Sequence, residues 1–140
     1  MIDDLIIHIE AAQVTTVQGH WRDDYYHADP YTRLYFITEG TAEIFLQDRK
    51  VHLQANRMYL LPANTPLRLC PPKKLLTHYC CHLRARAPAG LSLFDLIKFP
   101  VEYVPTKPEQ YLGLMQRLHA AFREPYDHAR LEMQGLVRLL

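Results

Sequence analysis

The chain has 140 residues, of which 49% are hydrophobic and 22% are charged, a composition typical of one globular domain. Its 16 Lys and Arg residues nearly balance its 15 Asp and Glu residues, so the formal net charge is +1. We therefore expect no surface in this chain that binds the phosphate backbone of DNA. No apolar run approaches the roughly 18 to 20 residues that cross a bilayer, so neither a membrane span nor a membrane partner is expected.

The sequence up to residue 105 has the pattern of short β-strands. Strand-forming runs are separated by turn residues such as Glu39-Gly40 and Ala55-Asn56. The runs lie at residues 5–9, 34–38, 42–46, 51–53, 58–61, 67–70 and 75–83. Because no helical stretch lies between them, this order predicts an antiparallel sandwich or barrel.

Two parts of this pattern predict different kinds of burial. Residues 34–37 are apolar at every position, which predicts a central strand covered on both faces. Residues 42–46 and 50–54 instead alternate between apolar and polar side chains. These two runs therefore predict a hairpin with one wetter face.

After Pro105 and Pro108 the apolar spacing becomes helical. Apolar residues at 111, 114, 115, 118, 121 and 122 predict one amphipathic helix that stops near Pro125. A second helix is predicted to begin with Asp127 as its N-cap, and its apolar stripe consists of Ala129, Met133, Leu136, Val137 and Leu140. One barrel edge cannot bury the apolar stripes of both helices, so we expect the chain to form a homodimer through its last helix.

The ends of the chain and its cysteines indicate a cellular context. The start, Met1 to Asp4, lacks the basic segment and cleavage site of a signal peptide, which predicts a cytoplasmic location. Cys70, Cys80 and Cys81 form an odd set without a CxxC, so we expect free thiols rather than a disulfide framework. The chain stops within an apolar run, which predicts a further domain beyond Leu140, although a helix docked at its natural terminus is the alternative.

Candidate ligand-binding residues cluster before and within the second predicted strand. Aromatic side chains beside fixed donors are what a small-molecule pocket requires. The candidates in this region are Trp21, Arg22, Tyr25, Tyr26, His27, Arg33 and Tyr35. On a later strand, His78, Cys80 and His82 share one face at spacings of two. We include His78 and His82 in the predicted ligand site, since polar residues lining a barrel face are the simplest interpretation of this spacing.

Two stretches carry a resemblance to known proteins. Glu39-Gly40 followed by Thr41 to Ile44, together with Asn56 to Pro66, resembles the two motifs of the cupin superfamily. More closely, Arg33 to Pro66 is similar to the N-terminal effector-binding and dimerisation domain of AraC-type transcription regulators. This resemblance implies a mainly β fold, with a cupin-like antiparallel β-barrel of jelly-roll type as a sensor region over residues 1–105. It also implies a two-helix dimerisation segment over 106–140, cut before a helix-turn-helix DNA-binding domain that is absent from this chain.

The same resemblance raises the question of a metal. Alignment on Gly40 places His27, Asp29 and Arg33 at the three ligand positions of the first cupin motif, and Leu67 where the second motif has a histidine. A cation there would face a fixed positive charge and lack two imidazoles, so we expect no metal, no cofactor and no enzymatic activity. His78, Cys80 and His82 could chelate a metal only with further ligands that are not adjacent in the sequence.

We therefore interpret the chain as the domain of an AraC-type regulator that senses a small-molecule effector and dimerises. DNA would be bound only through the absent domain. An interior Arg33 would suit an anionic or hydroxylated ligand. The alternative is that Arg33 pairs with an interior carboxylate or lies at the barrel mouth. The rival functions are a small metal-dependent cupin enzyme that uses His27, His78 or His82, and a free-standing sugar-binding cupin module.

Overall fold

The computed structural model describes residues 6–17, 28–70, 72, 75–86, 100–123, 135–137 and 139. These residues form strands β1 (Ile6–Val17), β2 (Thr32–Glu39), β3 (Thr41–Leu46), β4 (Arg49–Gln54), β5 (Met58–Leu61), β6 (Leu67–Leu69), β7 (Leu76–Arg86) and β8 (Glu102–Tyr103), followed by helix α1 (Pro108–Phe122). Residues 135–137 and 139 are also helical. Over the described part of the chain, no helix is both long and apolar enough to cross a membrane.

The strands form two antiparallel sheets. The larger sheet has the order β1-β7-β2-β5-β8, and the smaller has the order β4-β3-β6. The predicted mainly β, antiparallel fold is confirmed. Within the described ranges the two sheets are not joined into a closed barrel, so the arrangement is a two-layer sandwich.

Strand β2 lies between β7 and β5 and is buried on both faces, as predicted from its unbroken apolar run. Tyr35 and Ile37 belong to the core between the two sheets. Leu34 and Phe36 point to the opposite face, where Met115, Leu118 and Ala121 of α1 cover them. The strand period of two therefore divides one apolar run between two cores.

Two elements differ from their predicted bounds because long-range pairing decides them. Strand β1 extends to Val17 rather than residue 9, since it pairs with β7 from Ile6↔Arg86 to Val17↔Leu76. Strand β8 was not predicted, and its two residues are strand only because they pair with Met58 and Tyr59 of β5. Polar or short segments of this kind carry little local strand signal.

The turn between β2 and β3 and the buried Tyr59 fix how the sheets meet. Gly40 has φ +86°, and a Cβ there would lie 2.1 Å from the carbonyl oxygen of Leu75.

Tyr59 of the larger sheet accepts a hydrogen bond from the Gln54 amide at 2.8 Å and donates one to the His52 carbonyl at 2.9 Å, both on the smaller sheet. This hydroxyl therefore links the two layers.

Helix α1 has the predicted buried stripe and begins with Pro108, whose fixed φ suits a first helical turn. The second predicted helix is described only in part. Leu136 is 5% exposed and packs with Val137 into the core under the larger sheet, whereas Leu139 is 68% exposed. Its predicted N-cap Asp127 and the stripe residues Ala129, Met133 and Leu140 lie outside the described residues.

Candidate ligand site between the two sheets

The register of β2 against β7 brings four predicted site residues onto the inner face of the larger sheet. Arg33 pairs with His82, and Ile37 pairs with His78. Tyr35 lies between them opposite Cys80, and both of these side chains belong to the core between the sheets. The other predicted residues of this site, Trp21, Arg22, Tyr25, Tyr26 and His27, lie outside the described residues.

Arg33 is the charged centre of this cluster. Its side chain is 12% exposed and forms an ion pair with Asp29, whose side chain is 30% exposed. The guanidinium also donates a hydrogen bond to the Tyr35 hydroxyl at 3.3 Å and lies 5.7 Å from the centre of the Tyr31 ring. Arg33 thus faces the interior, as its parity predicted, and it is also paired with a carboxylate, which was the stated alternative.

Two imidazoles pack against aromatic rings beside this ion pair. Tyr31 stacks on His82 with ring centres 4.3 Å apart and an interplanar angle of 14°. Tyr35 contacts His78 with ring centres 4.7 Å apart and an angle of 56°. These contacts form a wall of flat side chains next to the guanidinium, which suits a small organic ligand.

Burial sets the protonation of the groups around Arg33. Desolvation lowers the pKa of His78 to about 4, and the neighbouring His82 acts in the same direction. The pKa of His82 is also lowered, first by burial and then by Arg33. Burial raises the pKa of Tyr35 above its ordinary value. At neutral pH these three side chains are therefore uncharged and can act as hydrogen-bonding groups without competing with Arg33 for an anion.

The described residues leave little free space beside the ion pair. A cavity of about 10 Å³ lies next to Arg33. A single buried water needs about 10 to 15 Å³, so this space is no larger than one water. Its lining includes Asp29, Tyr31, Leu46, Leu61, Thr65 and Leu67. A ligand of several atoms would require one of these side chains to move.

The residues at the cupin metal positions do not fit a metal ion. The Asp29 carboxylate is engaged by the Arg33 guanidinium, and Leu67 is a buried aliphatic side chain. His27 lies outside the described residues. Among the residues that are described, no cluster of three or more His, Cys, Asp or Glu side chains could hold a metal, and this includes the strand face with His78, Cys80 and His82. Cys70, Cys80 and Cys81 are free thiols.

Sequence reasoning missed Tyr31 and the role of Asp29. Tyr31 shares the parity of Arg33 and Tyr35, so alternation could have placed it on the same face. Asp29 lies four residues before Arg33, but that spacing indicates a contact only in a helix, and here it precedes a strand. The backbone hydrogen bond from the Asn64 amide to the Asp29 carbonyl, at 2.7 Å, positions Asp29 through a distant turn.

A comparison with known families matches the chain over residues 10–140 to the family described as AraC-like ligand binding domain. The chain belongs to this family. The resemblance seen in the sequence is therefore confirmed and extends over nearly the whole chain. No curated protein matches the chain.

Several solved structures are similar to this AraC-like domain. One is a cupin-2 domain containing protein from Shewanella frigidimarina, with 20% identity and a TM-score of 0.44, covering 58% of this chain and 72% of that one. Another is a cupin protein from Bacteroides fragilis, with 12% identity and a TM-score of 0.44, covering 64% and 70%. A third is the DMSP lyase DddQ from Ruegeria pomeroyi, with 16% identity and a TM-score of 0.45, covering 76% and 54%.

Proposed function

We propose that this AraC-like domain binds a small organic effector between its two sheets, beside Arg33, and that it serves as the sensing and dimerisation domain of a transcription regulator. The observation that carries the proposal is a largely buried guanidinium on the inner face of the larger sheet, which lies against the Tyr31 ring and donates to the Tyr35 hydroxyl. Each of these two rings packs against an uncharged imidazole. Such a cluster supplies both orientation and apolar contact to a small ligand.

We propose binding without catalysis. Arg33 and Leu67 stand where a cupin enzyme would have metal ligands, and Arg33 brings a fixed positive charge to that place. The rival metal-dependent enzyme predicts near one equivalent of Fe, Mn, Ni or Zn in protein purified without chelator. Elemental analysis that finds such a metal would favour the enzyme, whereas a content far below one equivalent supports the binding role.

The binding proposal is tested with two panels of probes, free monosaccharides and small carboxylates, titrated by NMR or calorimetry. A ligand held by Arg33 should bind the Arg33→Ala variant more weakly by roughly 1.5 to 3 kcal/mol, the value of a charged hydrogen bond. Arg68→Ala is the matched control, because Arg68 lies over the Phe45 ring at 4.7 Å and belongs to the smaller sheet. Equal affinity of the natural chain and the two variants for every probe would show that Arg33 is not part of the binding site.

We propose that the homodimer forms through the C-terminal helical residues. The exposed Leu139 supports this role, while the packing of Leu136 within its own chain shows that the two positions need separate tests. Leu139→Glu should shift the protein towards monomer in analytical ultracentrifugation and leave its β circular dichroism unchanged. Leu136→Glu should lower stability as well. A natural chain that is monomeric at tens of micromolar would contradict the proposed interface.

The regulatory role predicts a DNA-binding domain encoded after this segment. DNA would then be contacted by that domain, because this chain has a net charge of only +1. The reading frame beyond codon 140 is expected to encode roughly 100 further residues with two helix-turn-helix patterns. A reading frame that ends at this point would favour the free-standing sugar-binding module instead.

A further inference from the structure

The ion pair between Arg33 and Asp29 has the chemistry of a binding site already filled by a part of the protein. A guanidinium presents a planar set of donors that matches a carboxylate, and a buried one holds a carboxylate strongly. Here the carboxylate is supplied by Asp29, four residues before Arg33. The guanidinium also donates a 3.3 Å hydrogen bond to the Tyr35 hydroxyl and lies against the face of the Tyr31 ring.

The space around this pair indicates what a ligand must displace. The adjoining cavity of about 10 Å³ has no room for an organic molecule. Three of its lining residues, Leu46, Leu61 and Leu67, belong to the buried apolar core. Asp29 is the lining residue whose charge repels an incoming anion and whose removal would free both volume and donors.

Asp29 is also placed so that its side chain can leave. It lies outside the strands, and its side chain is 30% exposed, against 12% for Arg33. Its backbone is held independently of the carboxylate, since its carbonyl accepts a hydrogen bond from the Asn64 amide at 2.7 Å. Rotation about the side-chain bonds would therefore move the carboxylate towards water without moving the strand that carries Arg33.

We propose that the effector carries a carboxylate that replaces the Asp29 carboxylate on the Arg33 guanidinium, so that Asp29 acts as a built-in competitor. This inference rests on the proposed function, in which the site between the sheets binds a small molecule. The exchange keeps the buried guanidinium paired in both states, which avoids the cost of leaving a buried charge alone. A neutral polyol cannot make this exchange, so the site should select anions.

The exchange predicts that removing Asp29 strengthens carboxylate binding. The affinity of a ligand is reduced by the fraction of protein in which its site is occupied internally, and that fraction falls when the competitor is removed. Acetate and formate are the probes, because each is about the size of the carboxylate that is removed, and acetamide and formamide are their neutral counterparts. Titrations followed by NMR or calorimetry should show at least about tenfold tighter carboxylate binding to Asp29→Ala than to the natural chain. The amides should show no such gain.

Three further variants make the result specific. Asp29→Asn keeps the size of the side chain and should show a smaller gain in carboxylate affinity. This variant replaces Asp29→Ala in the test if circular dichroism shows that Asp29→Ala folds poorly. The double variant Asp29→Ala/Arg33→Gln should lose the gain. Glu43→Ala removes a carboxylate that pairs with Lys50 at 2.9 Å on the wetter face of the β3–β4 hairpin, and it should leave the affinity for both carboxylates unchanged.

Two outcomes would overturn the exchange. One is equal or weaker carboxylate binding after the loss of Asp29, and the other is a gain that persists without Arg33. If a monosaccharide binds the natural chain through Arg33 while no carboxylate gains from Asp29→Ala, the exchange is wrong and the proposed function stands. If the carboxylates gain as expected but the natural chain binds no member of either panel, the exchange is supported and the sensing role is refuted.

Discussion

Protonation of His78 should destabilise this fold at mildly acidic pH. The imidazole is 4% exposed and packs against the Tyr35 ring, with ring centres 4.7 Å apart. Burial, aided by the nearby His82, lowers the pKa of His78 to about 4 from the ordinary 6.5. The unfolded chain therefore takes up the proton first as the pH falls, and stability is lost between about pH 6.5 and pH 4.

The size of this loss follows from the two pKa values. Well above pH 6.5 the imidazole is neutral in both states and contributes almost no pH dependence. Between pH 7.5 and pH 5.0, a shift from 6.5 to about 4 corresponds to a loss of about 2 kcal/mol in the free energy of unfolding. This is a large part of the stability of a single domain, typically about 5 to 15 kcal/mol.

The test compares the natural chain with His78→Gln by urea unfolding, followed by circular dichroism at the two pH values. The variant should lose about 2 kcal/mol less than the natural chain on acidification. Cys80→Ala is the matched control, since it alters the same inner face but keeps the imidazole, and burial keeps the Cys80 thiol neutral by raising its pKa. It should retain the full acid sensitivity. The reasoning is wrong if His78→Gln and the natural chain lose equal stability.

Three further substitutions test features of the fold. Gly40→Ala places a Cβ 2.1 Å from a backbone oxygen at a φ of +86°, so it should lower the free energy of unfolding by more than about 1 kcal/mol. In contrast, a Cβ at Gly113 in α1 meets nothing within 4 Å. Gly113→Ala should therefore raise the free energy of unfolding by about 0.5 to 1 kcal/mol. Similar effects of the two changes in denaturant melts would contradict this assignment. Tyr59→Phe removes the hydroxyl that links the sheets and should cost about 1 to 3 kcal/mol, and an unchanged urea midpoint would show that the link is dispensable.

Local pattern was enough to predict much of the architecture. Alternation and turn residues predicted the short strands, and the unbroken apolar run at 34–37 predicted that β2 is buried on both faces. Helical spacing likewise predicted α1 and its buried residues, such as Met115 and Leu118. These features depend on neighbouring residues along the chain, because strand and helix periods are local properties of the backbone.

Part of the candidate site could also be predicted. Parity along β2 indicated that Arg33 and Tyr35 share the inner face, and spacing along β7 placed His78 and His82 together. The sequence left open whether Arg33 faces a ligand or an interior carboxylate. A sequence pattern predicts the ion-pair partner of a charged residue only when both residues lie in the same helix or strand.

Only the tertiary structure decided what surrounds Arg33. The pairing of β2 with β7 sets His82 opposite Arg33 and brings it under Tyr31, and the Asn64 turn holds the backbone of Asp29 where its carboxylate reaches the guanidinium. The low pKa of His78 has the same origin, because it results from burial between two sheets. Strand register, ion pairing across loops and desolvation all arise from residues far apart in the chain, so no local pattern contains them.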